Sequence, residues 1–217
     1  TQNRSYIIPG AVYLGLLILT GAVYKGYAIH NQKHSIIQMS QMAAVFGTDP
    51  LTDTGTRNLM SEIGDDLIKQ FLRQGLSISL VFIDVDNLKP INDAFGHKHG
   101  DLFLKEIAAT IRRHLRHNDI FVRWGGDEFI LLLPDVDIIN ATNLAERIRI
   151  AIQRIQFEGN IAPSSSFGVA ALKPDQSLDS LIEEADQAMY NAKKLGKNKV
   201  AVSSSGNIHE PDREISR

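Results

Sequence analysis

Apolar residues are grouped along this chain in two ways, and each grouping predicts a type of element. Short apolar runs read as buried strands at 120–122 and 129–133, and strands are also read at 76–84, 164–171 and 198–203. Apolar residues three and four apart read as helices. That spacing predicts a helix over 56–74, with Leu59, Ile63, Leu67 and Phe71 on one face and Gly75 stopping it. It predicts a second over 101–114, with Leu104, Ile107, Ala108, Ile111 and Leu115 facing inward, and two more over 139–157 and 178–195. Asp49-Pro50 breaks the chain ahead of the first helix. The core order β-α-β-β-α-β places the chain in the α/β (α+β) class. The expected sheet is ferredoxin-like or palm-type and antiparallel, with flanking helices on one face.

Upstream the pattern changes. Residues 6–24 are nineteen positions without a charge. As a helix they span about 28 Å, close to the ~30 Å of a bilayer's hydrocarbon. Tyr6, Tyr24 and Tyr27 stand near the ends, where a membrane interface favours aromatic rings. Arg4 precedes the run and Lys25 and Lys33 follow, a slight bias that puts the C-terminal side in the cytoplasm. The run is too long for a signal peptide's apolar region, and no Ala-x-Ala-like cleavage site follows it. A membrane-spanning helix is the reading adopted, and a helix docked against or buried in protein is the alternative. From 28 to 47, Ile29, Ile36, Met39, Ala43 and Phe46 hold the a and d positions of one heptad frame, with Gln32 a polar d. Either a short parallel coiled coil or an amphipathic helix packed on its own domain fits. The expected division is a transmembrane or signalling segment at 1–30, a helical linker at 31–48, a globular domain at 49–203 and a loose polar tail at 204–217. The chain opens on Thr1 rather than Met, which is read as a piece of a longer protein.

Composition narrows the chemistry. With 43% hydrophobic and 22% charged residues, the bulk of the 217 residues is globular. A net charge of −2 argues against a nucleic-acid partner. The absence of cysteine excludes disulfides and Cys-based zinc sites.

Candidate chemistry centres on Arg123-Trp124-Gly125-Gly126-Asp127-Glu128-Phe129. A Gly-Gly pair between two apolar runs predicts a tight hairpin turn with positive φ. Such a hairpin lifts Asp127 and Glu128 to one end of the sheet. Adjacent ionised carboxylates are costly unless a cation or a proton relieves them, and Mg²⁺ takes one or two carboxylates with water and phosphate oxygens. Asp84 and Asp86 end the clearest strand. A lone Asp there is ordinarily a turn or cap residue. Converging with Asp127 and Glu128, a third acid resembles a two-metal phosphoryl-transfer site. Asn92 and Asp101 offer an amide and a carboxylate that a guanine edge can match; alternatively Asp101 caps the following helix. His97 and His99 lack further ligands and are not read as a metal site. Arg112, Arg113 and Arg116 suit a helix C-terminus. Lys193, Lys194, Lys197 and Lys199 form either a solvated cationic end or a phosphate clamp.

The same residues carry a resemblance. The 123–129 stretch resembles the signature of the GGDEF family of diguanylate cyclases. Asp49-Pro-Leu-Thr52 resembles that family's opening motif. The segment from Asp84-Val-Asp86-Asn-Leu-Lys89 through Asn92-Asp93-Ala-Phe95-Gly96-His97 to Gly100-Asp101 resembles its metal, phosphate and guanine stretch. The run from Ala185-Asp186 through Met189-Tyr190 to Lys193 and Gly196-Lys197-Asn198 resembles its closing helix. The resemblance covers 49–203.

It implies condensation of two GTP into cyclic di-GMP and two pyrophosphates, by attack of a ribose 3′-hydroxyl on an α-phosphate. It assigns two Mg²⁺ (or Mn²⁺) per active site to Asp84, Glu128 and the carbonyl of Val85. Asp127 stands near the 3′-hydroxyl as base or orienter, with Arg123 in support. Asn87, Leu88 and Lys89 line the phosphates, Asn92 and Asp101 read guanine, and Lys193 and Lys197 hold the terminal phosphates. One domain holds one GTP, so catalysis implies a homodimer. Arg116 and Asp119, as Arg-x-x-Asp five residues before Gly-Gly, imply an inhibitory site for the product, with Arg147 or Arg149 a candidate extra arginine. The implied location is the inner membrane, held by the N-terminal helix, with the catalytic domain in the cytoplasm. Leu88 stands where Phe is usual, Thr54-Gly55-Thr56 where Leu-Pro-Asn is common, and Lys197 where Arg is usual, which touches rate and GTP affinity more than the reaction. The rival readings are a catalytically silent receptor for GTP or cyclic di-GMP and a dimerisation module in membrane signalling.

Overall fold

A computed structural model describes residues 12–13, 18–23, 47–157 and 162–203. The chain divides into two compact units, Thr1–Val45 and Phe46–Arg217. In the first, residues 12–13 and 18–23 are helical and exposed. Among the described residues no helix is long and apolar enough to cross a membrane. Most of the 6–24 run, the 28–46 stretch and the 204–217 tail lie outside the described residues.

The second unit holds β1 (Gly55–Thr56), α1 (Arg57–Arg73), β2 (Ile78–Val85), α2 (Leu88–Phe95), α3 (His97–Arg112), β3 (Ile120–Arg123), β4 (Glu128–Pro134), α4 (Ile138–Gln153), β5 (Ser165–Ala171), α5 (Leu178–Lys194) and β6 (Val200–Val202). Side chains set the starts of three helices. Thr56, Asp137 and Ser177 each accept a backbone N–H three residues on, from Leu59, Asn140 and Ser180.

The strands form one sheet in the order β1-β3-β4-β2-β5-β6. The middle four carry the ferredoxin-like order and are antiparallel. The two edges depart from the expectation, since β1 pairs with β3 and β6 with β5 in parallel. A two-residue strand such as β1 leaves no periodicity to read.

Helices cover both faces of the sheet rather than one. All eight residues of β2 are buried. Val81, Ile83 and Val85 join Ile107 and Ile111 of α3 and Ile148 and Ile152 of α4 in one cluster. Leu80 and Phe82 point the other way, toward α5. Gly168, the register partner of Phe82, lies so close to that helix that a Cβ would collide with the Ala185 carbonyl and the Met189 amide. On the same side a Cβ on Gly64 of α1 would strike Leu178 of α5. A strand buried at every position, not at alternate ones, is the signature of a sheet covered on both sides.

Residues 88–112 form two helices meeting at a corner, so the second begins ahead of the expected start at 101. Gly96, at φ 84°, separates α2 from α3. Asp101 is therefore the fifth residue of α3 and not its cap. The eight residues of α2 bury only Ile91 and carry Pro90 in the first turn, where proline is tolerated, so they show little helical rhythm.

Candidate active site

Antiparallel register decides which acids meet. On β2 and β4, Asp84 is the direct Cα partner of Glu128. Both share the face of Leu80 and Phe82, because side chains alternate along a strand. That face is covered by α5, whose Lys193 Nζ lies 2.5 Å from Asp84 Oδ2. Asp84 is 5% exposed. Burial raises its pKa from the ordinary carboxylate range to about 6; the Lys193 ammonium opposes the rise, and the charges of Asp127 and Glu128 add to it. Glu128 is also raised, by burial first, then by Asp127 and Asp186, with Lys193 and Arg57 opposing. Desolvated neighbouring carboxylates with one lysine between them form an environment short of positive charge.

The turn at 124–127 differs from the expected tight turn. Neither glycine takes a left-handed φ among the described residues. The amides of Trp124 and Gly125 donate to the Glu128 carbonyl at 2.9 and 3.3 Å. Gly125 is needed for a different reason: a Cβ there would stand 2.7 Å from Glu128 Oε2. The carboxylate folds back over a residue with no side chain. The Val85 amide donates to the Asp127 carbonyl at 3.0 Å, tying the turn to the end of β2.

Arg123 acts on the turn rather than on a reacting group. Its Nε donates to the Gly125 and Gly126 carbonyls at 3.2 Å, and one terminal nitrogen donates to Gly126 at 2.6 Å. The other reaches both Asp49 oxygens at 3.1 and 3.2 Å. Asp49 also accepts from the Thr52 amide and hydroxyl. Burial alone would raise the Asp49 carboxyl, but these bonds from Thr52 and Arg123 hold it below its ordinary value. Arg123 thus ties the carbonyls of the turn to the Asp49 segment.

A cleft of about 250 Å³ opens at this end of the sheet, lined by Asp84, Val85, Asn87, Leu88, Lys89, Asp127, Lys193 and Lys197. Asn87 starts α2 in the left-handed region at φ 62°, a conformation asparagine tolerates. Lys197, also left-handed at φ 61°, donates from Nζ to Asn87 Oδ1 at 2.7 Å. Both lysines expected at phosphates thus reach the cleft, engaged there by Asp84 and Asn87. Asn92 and Asp101 stand outside that lining, on α2 and α3 at either side of the Gly96 corner. Asn92 Oδ1 is buried and finds no hydrogen-bond partner among the described residues.

Among the described residues no three His, Cys, Asp or Glu side chains cluster tightly enough to hold a metal by themselves. Asp84 and Glu128 meet as a register pair, and Asp127 lines the same cleft as Asp84, near enough for its charge to raise both carboxyls. The donor set still fits a hard divalent cation: two carboxylates and the backbone carbonyl of Val85, all oxygen.

Asp86, noted at the strand end without a role, proves to be a structural acceptor. It is 3% exposed. It accepts from the hydroxyls of Ser164 and Ser166 at 2.9 and 2.8 Å and from the Asn198 amide at 3.0 Å. The run Ser164-Ser165-Ser166 at the start of β5 was the available signal.

A second cavity, about 350 Å³, lies between Asp53, Gly55, Arg112, Arg116, Asp119 and Phe121. The Arg116 amide donates to Asp119 Oδ2 at 2.7 Å, closing the Arg-x-x-Asp turn. Burial raises the Asp119 carboxyl, with Arg116 opposing. Arg112, read from sequence only as a helix-end charge, donates to the Thr52 carbonyl at 3.1 Å and to the carbonyl and carboxylate of Asp53. Arg149 is occupied elsewhere, by Glu146, Gln153 and Asn198, and neither it nor Arg147 lines this cavity.

Residues 46–199 match the family described as diguanylate cyclase, GGDEF domain, and the chain belongs to that family. It is 37% identical over 172 residues to diguanylate cyclase DgcP of Pseudomonas aeruginosa, covering 78% of this chain and 25% of that protein. It is 33% identical over 183 residues to the response regulator PleD of Caulobacter vibrioides, covering 82% and 39%. The chain therefore spans a quarter to two-fifths of the length of these relatives. Among solved structures, the GGDEF domain of DgcB from Caulobacter crescentus in complex with c-di-GMP superposes with a TM-score of 0.70 at 29% identity, over 73% of this chain and 96% of that one. Diguanylate cyclase SiaD of Pseudomonas aeruginosa, solved with its activator SiaC, gives 0.71 at 27% identity, over 90% and 75%.

Proposed function

We propose that this chain is a diguanylate cyclase, joining two GTP into cyclic di-GMP with release of two pyrophosphates. The observation that carries the reading is the register pairing of Glu128 with Asp84, which holds Lys193 and lines a cleft with Asn87, Leu88, Lys89, Asp127 and Lys197. Asp84, Glu128 and the Val85 carbonyl would hold Mg²⁺ or Mn²⁺, two ions per site. When bound, the ions supply charge neutralisation for the triphosphate and its α-phosphate.

The chain's own residues do the rest. Lys193 and Lys197 hold the terminal phosphates, exchanging Asp84 and Asn87 for phosphate oxygens. Asn87, Leu88 and Lys89 line the phosphates between them. Asp127 orients the 3′-hydroxyl and takes its proton. The hydroxyl oxygen bonds to the partner nucleotide's α-phosphorus as the bond to pyrophosphate breaks. Asn92 and Asp101 read the guanine; the buried, unpartnered Oδ1 of Asn92 is an acceptor suited to a guanine N–H.

Two such sites must face each other, so the working form is a homodimer. The Arg116 and Asp119 cavity takes the product and inhibits. Residues 6–24 anchor the chain in the inner membrane with the catalytic unit in the cytoplasm. The similarity of DgcB in its c-di-GMP complex supports the choice of product. Loss of vesicle flotation on deleting 6–24 is the expected result for the anchor, and flotation that persists would refute it. For the activity, the test is GTP with Mg²⁺ and chromatography for cyclic di-GMP. A dimeric protein that binds GTP without product, with Asp127→Ala indistinguishable from the parent, would favour the silent receptor.

A further inference from the structure

Arg57 is the first residue of α1, where a cation is poorly placed. The N-terminal end of a helix carries partial positive charge, and no acidic residue occupies that first turn to offset it. The residue is also exposed. Its position makes sense across the sheet. Thr56 of β1 is the register partner of Arg123 on β3. The next residue of each strand is therefore also a neighbour, and the Arg57 guanidinium lies 4.4 Å from the centroid of the Trp124 ring. Trp124 and Gly125 donate their amides to the Glu128 carbonyl. The chain of contact runs from Arg57 to Trp124 to Glu128.

We propose that Arg57 is a positioning residue for Glu128, holding the 124–128 turn from above by stacking on Trp124. It completes a reciprocal brace. Arg123 reaches from the turn to Asp49 in the segment leading into the domain, while Arg57 reaches from the end of that segment back to the turn. One arginine fixes the turn's carbonyls, and the other fixes its only large side chain. The proposal rests on the cyclase reading for its catalytic consequence, but the brace itself has an independent readout. Trp124 is the chain's single tryptophan, so the fluorescence signal comes from the ring that Arg57 covers.

The experiment compares the full chain with Arg57→Ala, Arg57→Lys, Trp124→Leu and the Arg57→Ala/Trp124→Leu double variant. In Arg57→Ala, acrylamide quenching of Trp124 should rise about twofold, with Arg57→Lys between it and the parent. An exposed cation–π contact is a small term, so turnover should fall about two- to fivefold with the KM for GTP unchanged. The melting temperature should not fall, because an unfavourable helix-terminal charge has been removed. Trp124→Leu should lose a similar factor, and the double variant no more than either single. Unchanged quenching in Arg57→Ala, losses that multiply in the double variant, or turnover that falls in step with melting temperature would each overturn the brace. A parent that makes no cyclic di-GMP would sink the cyclase reading, and the quenching and melting comparison would still decide the brace.

Discussion

Asp84 is under opposing demands. Its place at the end of a buried strand puts it beside Glu128 and gives it Lys193, yet burial drives its pKa up to about 6. A carboxyl whose folded-state pKa lies above its unfolded value lowers stability as pH rises through the interval between them. Asp84→Asn should therefore raise the melting temperature of the metal-free protein at pH 7 by about 2–6 °C, while abolishing cyclase activity. Calorimetry from pH 4 to 7 would show the gap opening as pH rises. Asp49 behaves in the opposite sense. Its pKa is held down, so its contribution is present above the unfolded value and disappears as pH falls through the folded one. Asp49→Asn should lower the melting temperature by about 3–6 °C at pH 7, with the difference closing below pH 4. The pairing of Asp84 with Glu128 was legible because apolar runs located both strand ends. The partnership of Asp49 with Arg123 was not, since it joins positions 74 residues apart and neither has a periodic signal.

Two glycines show how elements divide fold from site. Gly168 on β5 would press a new Cβ into the backbone of α5, which has nowhere to move. Gly168→Ala should destabilise by about 3 kcal/mol, measured by urea unfolding. Gly125 would press one only against the Glu128 carboxylate, the movable end of a side chain. Gly125→Ala should leave unfolding nearly unchanged and reduce turnover at least about tenfold, because the displaced group is the carboxylate proposed to hold the metal. Glycine between the strands was visible in the sequence, but the reason was not. Backbone freedom was the obvious inference, and a side chain folding back from three residues away was the actual constraint. Likewise α2 escaped notice because one buried residue in eight leaves no stripe, whereas α1, α4 and α5 announced themselves through capping residues and apolar spacing.

At the scale of the molecule, the strand and helix order was enough to infer the ferredoxin-like core, while its second layer of helices was hidden. Strands buried at every position, such as β2, mark that both faces are covered. The arrangement places the two cavities at separate stations of the second unit, one at the end of β2 and one between the 53–55 segment, the end of α3 and the start of β3. Product inhibition should depend on the second alone. Arg116→Ala with Asp119→Ala should leave initial turnover within about twofold of the parent and raise the inhibitory concentration of cyclic di-GMP at least about tenfold. Inhibition that survives both changes would remove that cavity from the account.

The claim beneath all of this is that Asp84 and Glu128, brought side by side by strand register, serve metal-dependent joining of GTP. It is tested most directly by incubating the purified chain with GTP and Mg²⁺ and quantifying cyclic di-GMP and pyrophosphate by chromatography. The parent should form both products in a divalent-dependent reaction, and Asp84→Asn and Glu128→Gln should each lose at least about a hundredfold. A folded, dimeric parent that binds GTP and yields neither product, or acid variants that turn over as fast as the parent, would contradict it.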